Sequence, residues 1–136
     1  MKVSNDLKDL ITQWLQSGEE KITLIEGQDE IVVRLQETGV LVCVSLTSTS
    51  SNNTELQCWV RLGAASLTHF KGALARASSS GTLWIIQSLQ GTPEESRVLS
   101  SVESLLNQRD TWRAIYARLN KPAHQLKPTS LRALRH

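Results

Sequence analysis

The amino-acid sequence predicts a single α+β domain in which an antiparallel sheet is flanked by helices. Three observations point to this class. Apolar residues recur at helical spacing near both ends of the chain, alternating or β-branched apolar segments lie between them, and turn-forming residues separate these segments. The length of 136 residues suits one hydrophobic core. We expect the order α-β-β-β-α-β-α over residues 1–120, followed by a basic C-terminal extension over residues 121–136.

The first predicted element is an amphipathic helix that ends at Gly18. Its apolar residues recur every three or four positions, so they share one face of the helix, which we expect to pack against the core. These residues are Val3, Leu7, Leu10, Ile11, Trp14 and Leu15.

A three-stranded antiparallel meander is predicted next. Segment 22–26 leads through a turn that contains glycine into a strand over residues 30–36, in which apolar and polar residues alternate. The β-branched segment 40–46 is typical of a central strand. Residues 47–54 are Ser, Thr and Asn and predict a flexible loop, and residues 55–62 alternate again and are interpreted as the third strand.

The rest of the chain is expected to form a helix, a strand and a long closing helix. Residues 64–77 carry apolar residues at helical spacing, and residues 82–89 form an apolar strand around Trp84. The last helix is predicted to start at Thr92 as the N-cap, because the following Pro-Glu-Glu supplies a proline at the first helical position and a glutamate that closes a capping box. Its apolar residues recur in steps of four and three as far as Lys121, where a proline follows.

The formal net charge of +2 is unevenly distributed along the chain. Residues 1–110 carry nine basic and thirteen acidic side chains, whereas residues 111–136 carry six basic side chains and no acidic one. The N-terminus lacks the apolar segment of a secretory signal, and the longest apolar run is far shorter than the roughly 20 residues that span a bilayer. We therefore expect a cytoplasmic protein with an acidic body and a basic extension, and no membrane partner.

The cysteines, histidines and glycines form no recognisable enzyme motif. Two free buried thiols are favoured for Cys43 and Cys58, although a disulfide between neighbouring strands also fits the predicted arrangement. An inert core role is likewise favoured over a nucleophilic pairing of either cysteine with His69. The histidines and cysteines are too scattered for a zinc site, and the glycines form no phosphate-binding loop. We expect no catalytic residue, no metal and no cofactor.

Two features are more consistent with binding. Tryptophans stand on four different predicted elements, and tryptophan is enriched at interfaces, although a core position is favoured for any single one. The basic extension allows salt-dependent binding to nucleic acid. However, Trp112 and Tyr116 lie on a helix stripe rather than free for base stacking, and the acidic body repels nucleic acid. We therefore favour a basic extension that is solvated, or docked on acidic protein, over one that binds nucleic acid.

The segment from Cys58 to Leu67, Cys-Trp-Val-Arg-Leu-Gly-Ala-Ala-Ser-Leu, resembles the class I chaperones of bacterial type III secretion. It is similar to the end of their third strand, the turn and the start of their second helix. The amphipathic first helix, the meander and the closing helix also follow the order of that family over residues 3–120. This chain departs from the family in its basic extension and in showing one clear strand, rather than two, between the second and third helices.

The resemblance implies a non-enzymatic cytoplasmic homodimer that holds a segment of a secreted effector in extended form. The alternative is a chaperone-like regulator, either an anti-activator or its antagonist, which binds another secretion-system protein. The second alternative is a regulator that binds nucleic acid through the basic extension. For partner binding we expect contacts from Leu7, Ile11, Trp14, Val33 and Leu35. For dimerisation we expect contacts from Leu67, Phe70, Leu74 and Trp84, in line with the family's use of its second helix and following strand.

Overall fold

The computed structural model describes residues 2–66 and 69–119 and shows an α+β fold built on one five-stranded antiparallel sheet. The elements are α1 (Lys2–Ser17), β1 (Lys21–Glu26), β2 (Asp29–Gln36), β3 (Gly39–Ser45), α2 (Asn53–Ala65), β4 (Ala73–Arg76), β5 (Leu83–Gln90) and α3 (Glu95–Leu119). The strands lie side by side in the order β1-β2-β3-β5-β4. The predicted class is confirmed, and the basic extension lies outside the described residues.

A tight hairpin joins the first two strands. Glu26 pairs with Asp29, so the turn between β1 and β2 consists of Gly27 and Gln28. Gly27 has a φ of +67°, a conformation that glycine adopts without steric strain. Segment 22–26 is therefore a strand in its own right, and the true meander is formed by β1, β2 and β3.

The segment 55–62, which was predicted as a strand, belongs to helix α2. The Asn52 side chain accepts a hydrogen bond from the Glu55 backbone N–H at 2.8 Å, and the Glu55 carboxylate accepts one from the Asn52 N–H at 3.0 Å. This reciprocal capping box starts the helix inside the predicted loop. Trp59 is 4% exposed while Val60 is 51% exposed. The alternation of apolar residues in this segment therefore does not correspond to a buried strand face.

The segment 64–77, which was predicted as a helix, contains the end of α2, a turn and the short strand β4. The buried side chain of Gln108 in α3 holds the chain just before β4, since its Oε1 accepts from the Gly72 N–H and its Nε2 donates to the Gly72 carbonyl, both at 3.0 Å. A Cβ at position 72 would lie 2.3 Å from Cγ2 of Ile85, so only glycine fits this passage. Two strands, β4 and β5, thus lie between the second and third helices, and the expected departure from the chaperone pattern is wrong.

The core lies on one face of the sheet, which we call the helix face. Buried residues from all three helices pack there against alternate residues of the strands, such as Ile31 and Val33 of β2 and Val42 of β3. The residues between them, such as Val32 and Cys43, lie on the opposite face and are only half-buried. We call this second face the open face. None of the described helices is long and apolar enough to cross a bilayer.

Helix α3 packs along the helix face and carries much of the core. Its buried residues include Val98, Val102 and Leu105, which confirms the predicted stripe, whereas Leu119 at its end is 69% exposed. At its start, the Glu95 carboxylate accepts a hydrogen bond from the Thr12 hydroxyl of α1. The two terminal helices are therefore connected directly.

Candidate functional site

Strand β1 is an edge of the sheet whose outer backbone groups are free to pair. The Leu35 N–H donates to the Glu20 carbonyl at 2.7 Å, which fixes the alternation of backbone groups along β1. The N–H and C=O groups of Lys21, Thr23 and Ile25 consequently point away from β2. The structure places no other strand beside them. Among the described residues, this edge offers a row of main-chain donors and acceptors.

A groove runs between helix α1 and this edge strand. It encloses about 220 Å³ and is lined by Leu10, Gln13, Trp14, Ser17, Glu19 and Ile22. Leu10 is 42% exposed at its rim, and Trp14 is only 3% exposed within it. The groove thus offers three apolar side chains and three polar ones beside open main-chain groups.

The Trp14 indole, which lines this groove, carries a buried donor that is unsatisfied among the described residues. Its Nε1 is buried, and no described residue accepts a hydrogen bond from it. A buried N–H without an acceptor costs about 1–3 kcal/mol, so such groups are uncommon in native proteins. An acceptor supplied from outside the described chain would remove this cost.

The structure places the residues expected to bind a partner in two different environments. Leu7, Ile11 and Val33 are at most 8% exposed and lie in the hydrophobic core, so a partner cannot touch them while the core stays closed. Their assignment as partner contacts stays a prediction. Trp14 belongs to the same core cluster but also lines the groove, and Leu35 is 38% exposed.

Sequence reasoning missed the exposed apolar residues near the β1 edge. Leu10 belonged to the predicted helix stripe but was not selected, and Ile25, which is 65% exposed, was read as part of a segment leading into the next strand. The alternation of Ile22 and Leu24 with Thr23 and Ile25 is the signal that identifies β1 as a strand with one face outside the core.

An ion-pair network fixes the β1–β2 hairpin on helix α3. The Arg109 guanidinium is 6% exposed and pairs with Glu26 at 2.9 Å and with Asp29 at 3.3 Å. Hydrogen bonds from Arg113 hold the pKa of Asp29 below its ordinary value, against the opposing effect of burial. Burial alone would lower the pKa of Arg109, but hydrogen bonds to Asp110 and Glu26 raise it above its ordinary value. Arg109 therefore stays charged, and the network holds the hairpin that carries the β1 edge on α3.

A mainly polar cavity lies beside this network. It encloses about 620 Å³ between the 46–51 loop, α2 and α3, and its wall includes Trp59 and Tyr116, whose rings stack with centroids 4.0 Å apart. Arg113 in this wall is already bound to Asp29 and to the Leu46 carbonyl. No group of three or more potential metal ligands occurs in the part of the chain that the structure describes.

The two cysteines lie in different elements and form no disulfide with each other. Both are free and half-buried, Cys43 in the central strand β3 and Cys58 in helix α2 rather than in a strand. Burial raises the pKa of the Cys43 thiol, which keeps it protonated at neutral pH and makes it a poor nucleophile.

The residues expected at a dimer interface are spread over two surfaces. Phe70 and Leu74 pack half-buried against the core, near an apolar groove of about 490 Å³ between α2 and α3. Trp84 lies on the open face, half-buried, and Leu67 lies outside the described residues. Because Phe70 lies between α2 and β4 and Leu74 lies in β4, none of the described members of this set belongs to a helix.

Sequence comparison finds no related family for this chain. No family model and no curated protein sequence matches it.

Three solved structures with a similar fold are chains of protein–protein complexes. A chain of the HopA1–SchA chaperone–effector complex is 15% identical, with a TM-score of 0.58 over 81% of this chain and 92% of that chain. A chain of the ExsC–ExsE complex is 10% identical, with a TM-score of 0.60 over 85% and 97%. A chain of the heterodimeric ExoU–SpcU complex of the type III secretion system of Pseudomonas aeruginosa is 17% identical, with a TM-score of 0.53 over 77% and 93%. The fold expected from the resemblance to type III secretion chaperones is confirmed.

Proposed function

We propose that this protein is a non-enzymatic chaperone of a bacterial type III secretion system, acting in the cytoplasm. It holds a segment of an effector or of a secretion regulator in extended form. The fold shared with the HopA1–SchA and ExoU–SpcU complexes supports this class of function.

The observation that carries the proposal is the buried, unsatisfied Nε1 of Trp14 beside an open strand edge. An extended partner segment pairs with the free groups of Lys21, Thr23 and Ile25, as in other cases of strand addition. Its apolar side chains contact Leu10 in the groove, and a backbone carbonyl accepts the hydrogen bond from Trp14.

The physical consequence of this binding is protection without energy input. Each main-chain hydrogen bond formed at the β1 edge satisfies a group that would otherwise face water. The apolar side chains of the partner are removed from water when they enter the groove. A bound segment therefore cannot fold or aggregate, and it is released intact when a competing interaction displaces it.

The decisive variant is Thr23→Pro, because the Thr23 N–H points out of the sheet. Proline at an edge position removes one outward donor while the pairing of β1 with β2 remains. We expect binding of N-terminal effector segments, measured by fluorescence anisotropy, to weaken at least tenfold. Ser88→Pro, at an outward position of β5, is the matched control and leaves this binding unchanged.

A second variant tests the donor. Trp14→Phe keeps an aromatic ring but removes the N–H, so the affinity for the segment falls about three- to tenfold, as expected for one hydrogen bond. Trp84→Phe on the open face is its control. If no effector or regulator segment encoded in the same genome binds the wild-type protein, the proposed function is wrong; if Thr23→Pro binds like the wild type, the β1 edge is not the site.

We further propose that the protein forms a homodimer through α2, the segment around Phe70 and β4. Val60 is 51% exposed on α2, and Phe70 lines an apolar groove between α2 and α3 to which Val60 does not contribute. Val60→Asp should shift the protein to monomer in sedimentation equilibrium while leaving the fold intact. Phe70→Asp should do the same but also destabilise the core that Phe70 contacts. A wild-type protein that is monomeric at micromolar concentration contradicts this part of the proposal.

A further inference from the structure

Strand β5 extends beyond its partner β4 and leaves a second free edge. Ala73, the first residue of β4, pairs with Ile86, and no described strand pairs with β5 beyond that point on this side. The Leu46 N–H donates to the Leu83 carbonyl, so odd-numbered residues of β5 point their backbone groups toward β3. The N–H and C=O groups of Ser88 and Gln90 therefore point to the side that β4 does not reach.

The buried amide of Gln108 fixes the chain just before β4 on helix α3. It binds both backbone groups of Gly72, which by the register of β4 and β5 point away from β5. No described strand continues beside β5 before Ala73. The edge at Ser88 and Gln90 is therefore open, apart from the long hydrogen bond that the Gln90 carbonyl accepts from Arg97.

A positively charged pocket opens beside this edge. It encloses about 330 Å³, and its wall consists of His69, Lys71, Gln87, Leu89, Arg97, Ser100, Ser101 and Ser104, none of which is acidic. Lys71 and Arg97 form no ion pair with any described residue. Arg97 makes only a long hydrogen bond, 3.4 Å from its Nη1 to the Gln90 carbonyl.

The charge of this pocket contrasts with that of the surrounding protein. Residues 1–110 carry a net charge of −4, yet the only charged side chains in the pocket wall are cationic. Cations without carboxylate partners beside free main-chain groups favour an extended polypeptide with acidic side chains.

We propose that the edge at Ser88 and Gln90 binds an extended acidic segment of a partner protein, which adds to the sheet along the line that β4 leaves. Alternate side chains of such a strand point into the pocket, where their carboxylates pair with Lys71 and Arg97 and accept hydrogen bonds from the exposed hydroxyls of Ser100 and Ser104. This site is near the opposite edge of the sheet from the β1 groove. It does not depend on the function proposed for that groove.

The test uses the full chain and three capped eight-residue peptides. The first alternates glutamate and valine, the second alternates lysine and valine, and the third repeats the first with N-methyl groups on alternate backbone nitrogens. We expect the acidic peptide to bind, with chemical-shift changes at the amides of Ser88 and Gln90. Its affinity should fall severalfold between 50 and 300 mM salt, values chosen to bracket about 10 Å of screening length. The lysine peptide and the N-methylated peptide should bind at least tenfold more weakly.

Protein variants separate charge from strand pairing. Lys71→Glu with Arg97→Glu should weaken binding of the acidic peptide at least tenfold, whereas the matched control, Lys8→Glu with Arg76→Glu, changes the net charge equally but lies away from the pocket. Ser88→Pro removes the outward N–H and should have a similar effect, while Thr23→Pro should have none.

Four results overturn the proposal. The first is that the acidic peptide does not bind at millimolar concentration, and the second is that the N-methylated peptide binds as tightly as the acidic one. The third is that the chemical-shift changes are confined to β1. The fourth is that the chemical shift of Ser88 depends on protein concentration without peptide, which would make a second copy of the chain the occupant. The peptide measurements on the wild-type protein decide the matter even if a variant fails to fold.

Discussion

Two hydrogen bonds join the Arg113 guanidinium to the Asp29 carboxylate, at 2.9 Å from Nη1 to Oδ2 and at 3.0 Å from Nη2 to Oδ1. Arg113 also donates to the Leu46 carbonyl at 3.0 Å. One side chain of α3 thereby holds the start of β2 and the chain after β3. Because β1 and β2 share a two-residue turn, the same contact positions the β1 edge that the proposed partner uses.

Asp29→Asn should therefore destabilise the protein. The substitution removes the charge that Arg113 and Arg109 share, and charge-assisted hydrogen bonds of this kind contribute about 1.5–3 kcal/mol. Urea unfolding at pH 7 measures the loss. Glu30→Gln is the control, since Glu30 is exposed on the neighbouring position and should change the unfolding free energy little. Equal losses in the two variants would show that the pair does not stabilise the fold.

The same pair gives the protein an acid-sensitive stability. The folded-state pKa of Asp29 lies below its ordinary value, mainly because Arg113 donates hydrogen bonds to the ionised form. A lowered folded-state pKa means that the stabilisation is fully present above the unfolded-state value of about 3.9 and is lost as the pH falls through the folded-state pKa. Between pH 5 and strongly acidic pH, urea unfolding should show a smaller loss of stability in Asp29→Asn than in the wild type. Parallel curves would contradict this assignment.

The sequence predicts the fold class and three of the elements closely, because α1, β3 and α3 each have a long, uniform apolar pattern. It fails between residues 55 and 77 for a physical reason. Apolar residues in α2 alternate over a few positions although Val60 faces solvent, and the capping box of Asn52 and Glu55 was the signal that identifies a helix.

The candidate site is harder to predict than the fold. An apolar helix stripe identifies Ile11 and Trp14 together, but only the packing of α1 shows that both are in the core and that the second also lines a groove and has an unsatisfied buried N–H. Free strand edges depend on the strand order and on where β4 ends. Gly72 and Gln108, whose bonds fix the chain just before β4 on α3, are 36 positions apart and carry no local pattern that connects them.

Gln108→Leu should destabilise the protein through the backbone of Gly72. Leucine fills much of the same space but leaves the Gly72 N–H and C=O without their partners, at a cost of about 1–3 kcal/mol for each group that stays buried and unbonded. Asn107→Leu makes a comparable change at the exposed neighbouring position of α3. Thermal and urea unfolding compare the two variants. Similar stabilities would show that the Gln108 amide is dispensable.

Cys43 should react slowly with thiol reagents in the folded protein. Its thiol is half-buried on the open face, and burial raises its pKa, so the reactive thiolate is scarce at neutral pH. In a Cys58→Ser background, we expect the rate of labelling to rise with pH along a curve centred above the ordinary cysteine value of about 8.5. Urea-unfolded protein supplies the reference rate. A folded protein that labels as fast as the unfolded one would place Cys43 in full contact with water.

The stacked rings of Trp59 and Tyr116 should couple α2 to α3. Their planes are 2° from parallel with centroids 4.0 Å apart, and Trp59 is otherwise enclosed by the core. In a double-mutant cycle with Trp59→Leu and Tyr116→Leu, we expect a coupling free energy of about 0.5–1.5 kcal/mol. Tyr116→Phe keeps the ring and should retain most of this coupling. If Tyr116→Phe loses as much as Tyr116→Leu, the hydroxyl rather than the stacked ring connects the two helices, because only the hydroxyl is missing in that variant.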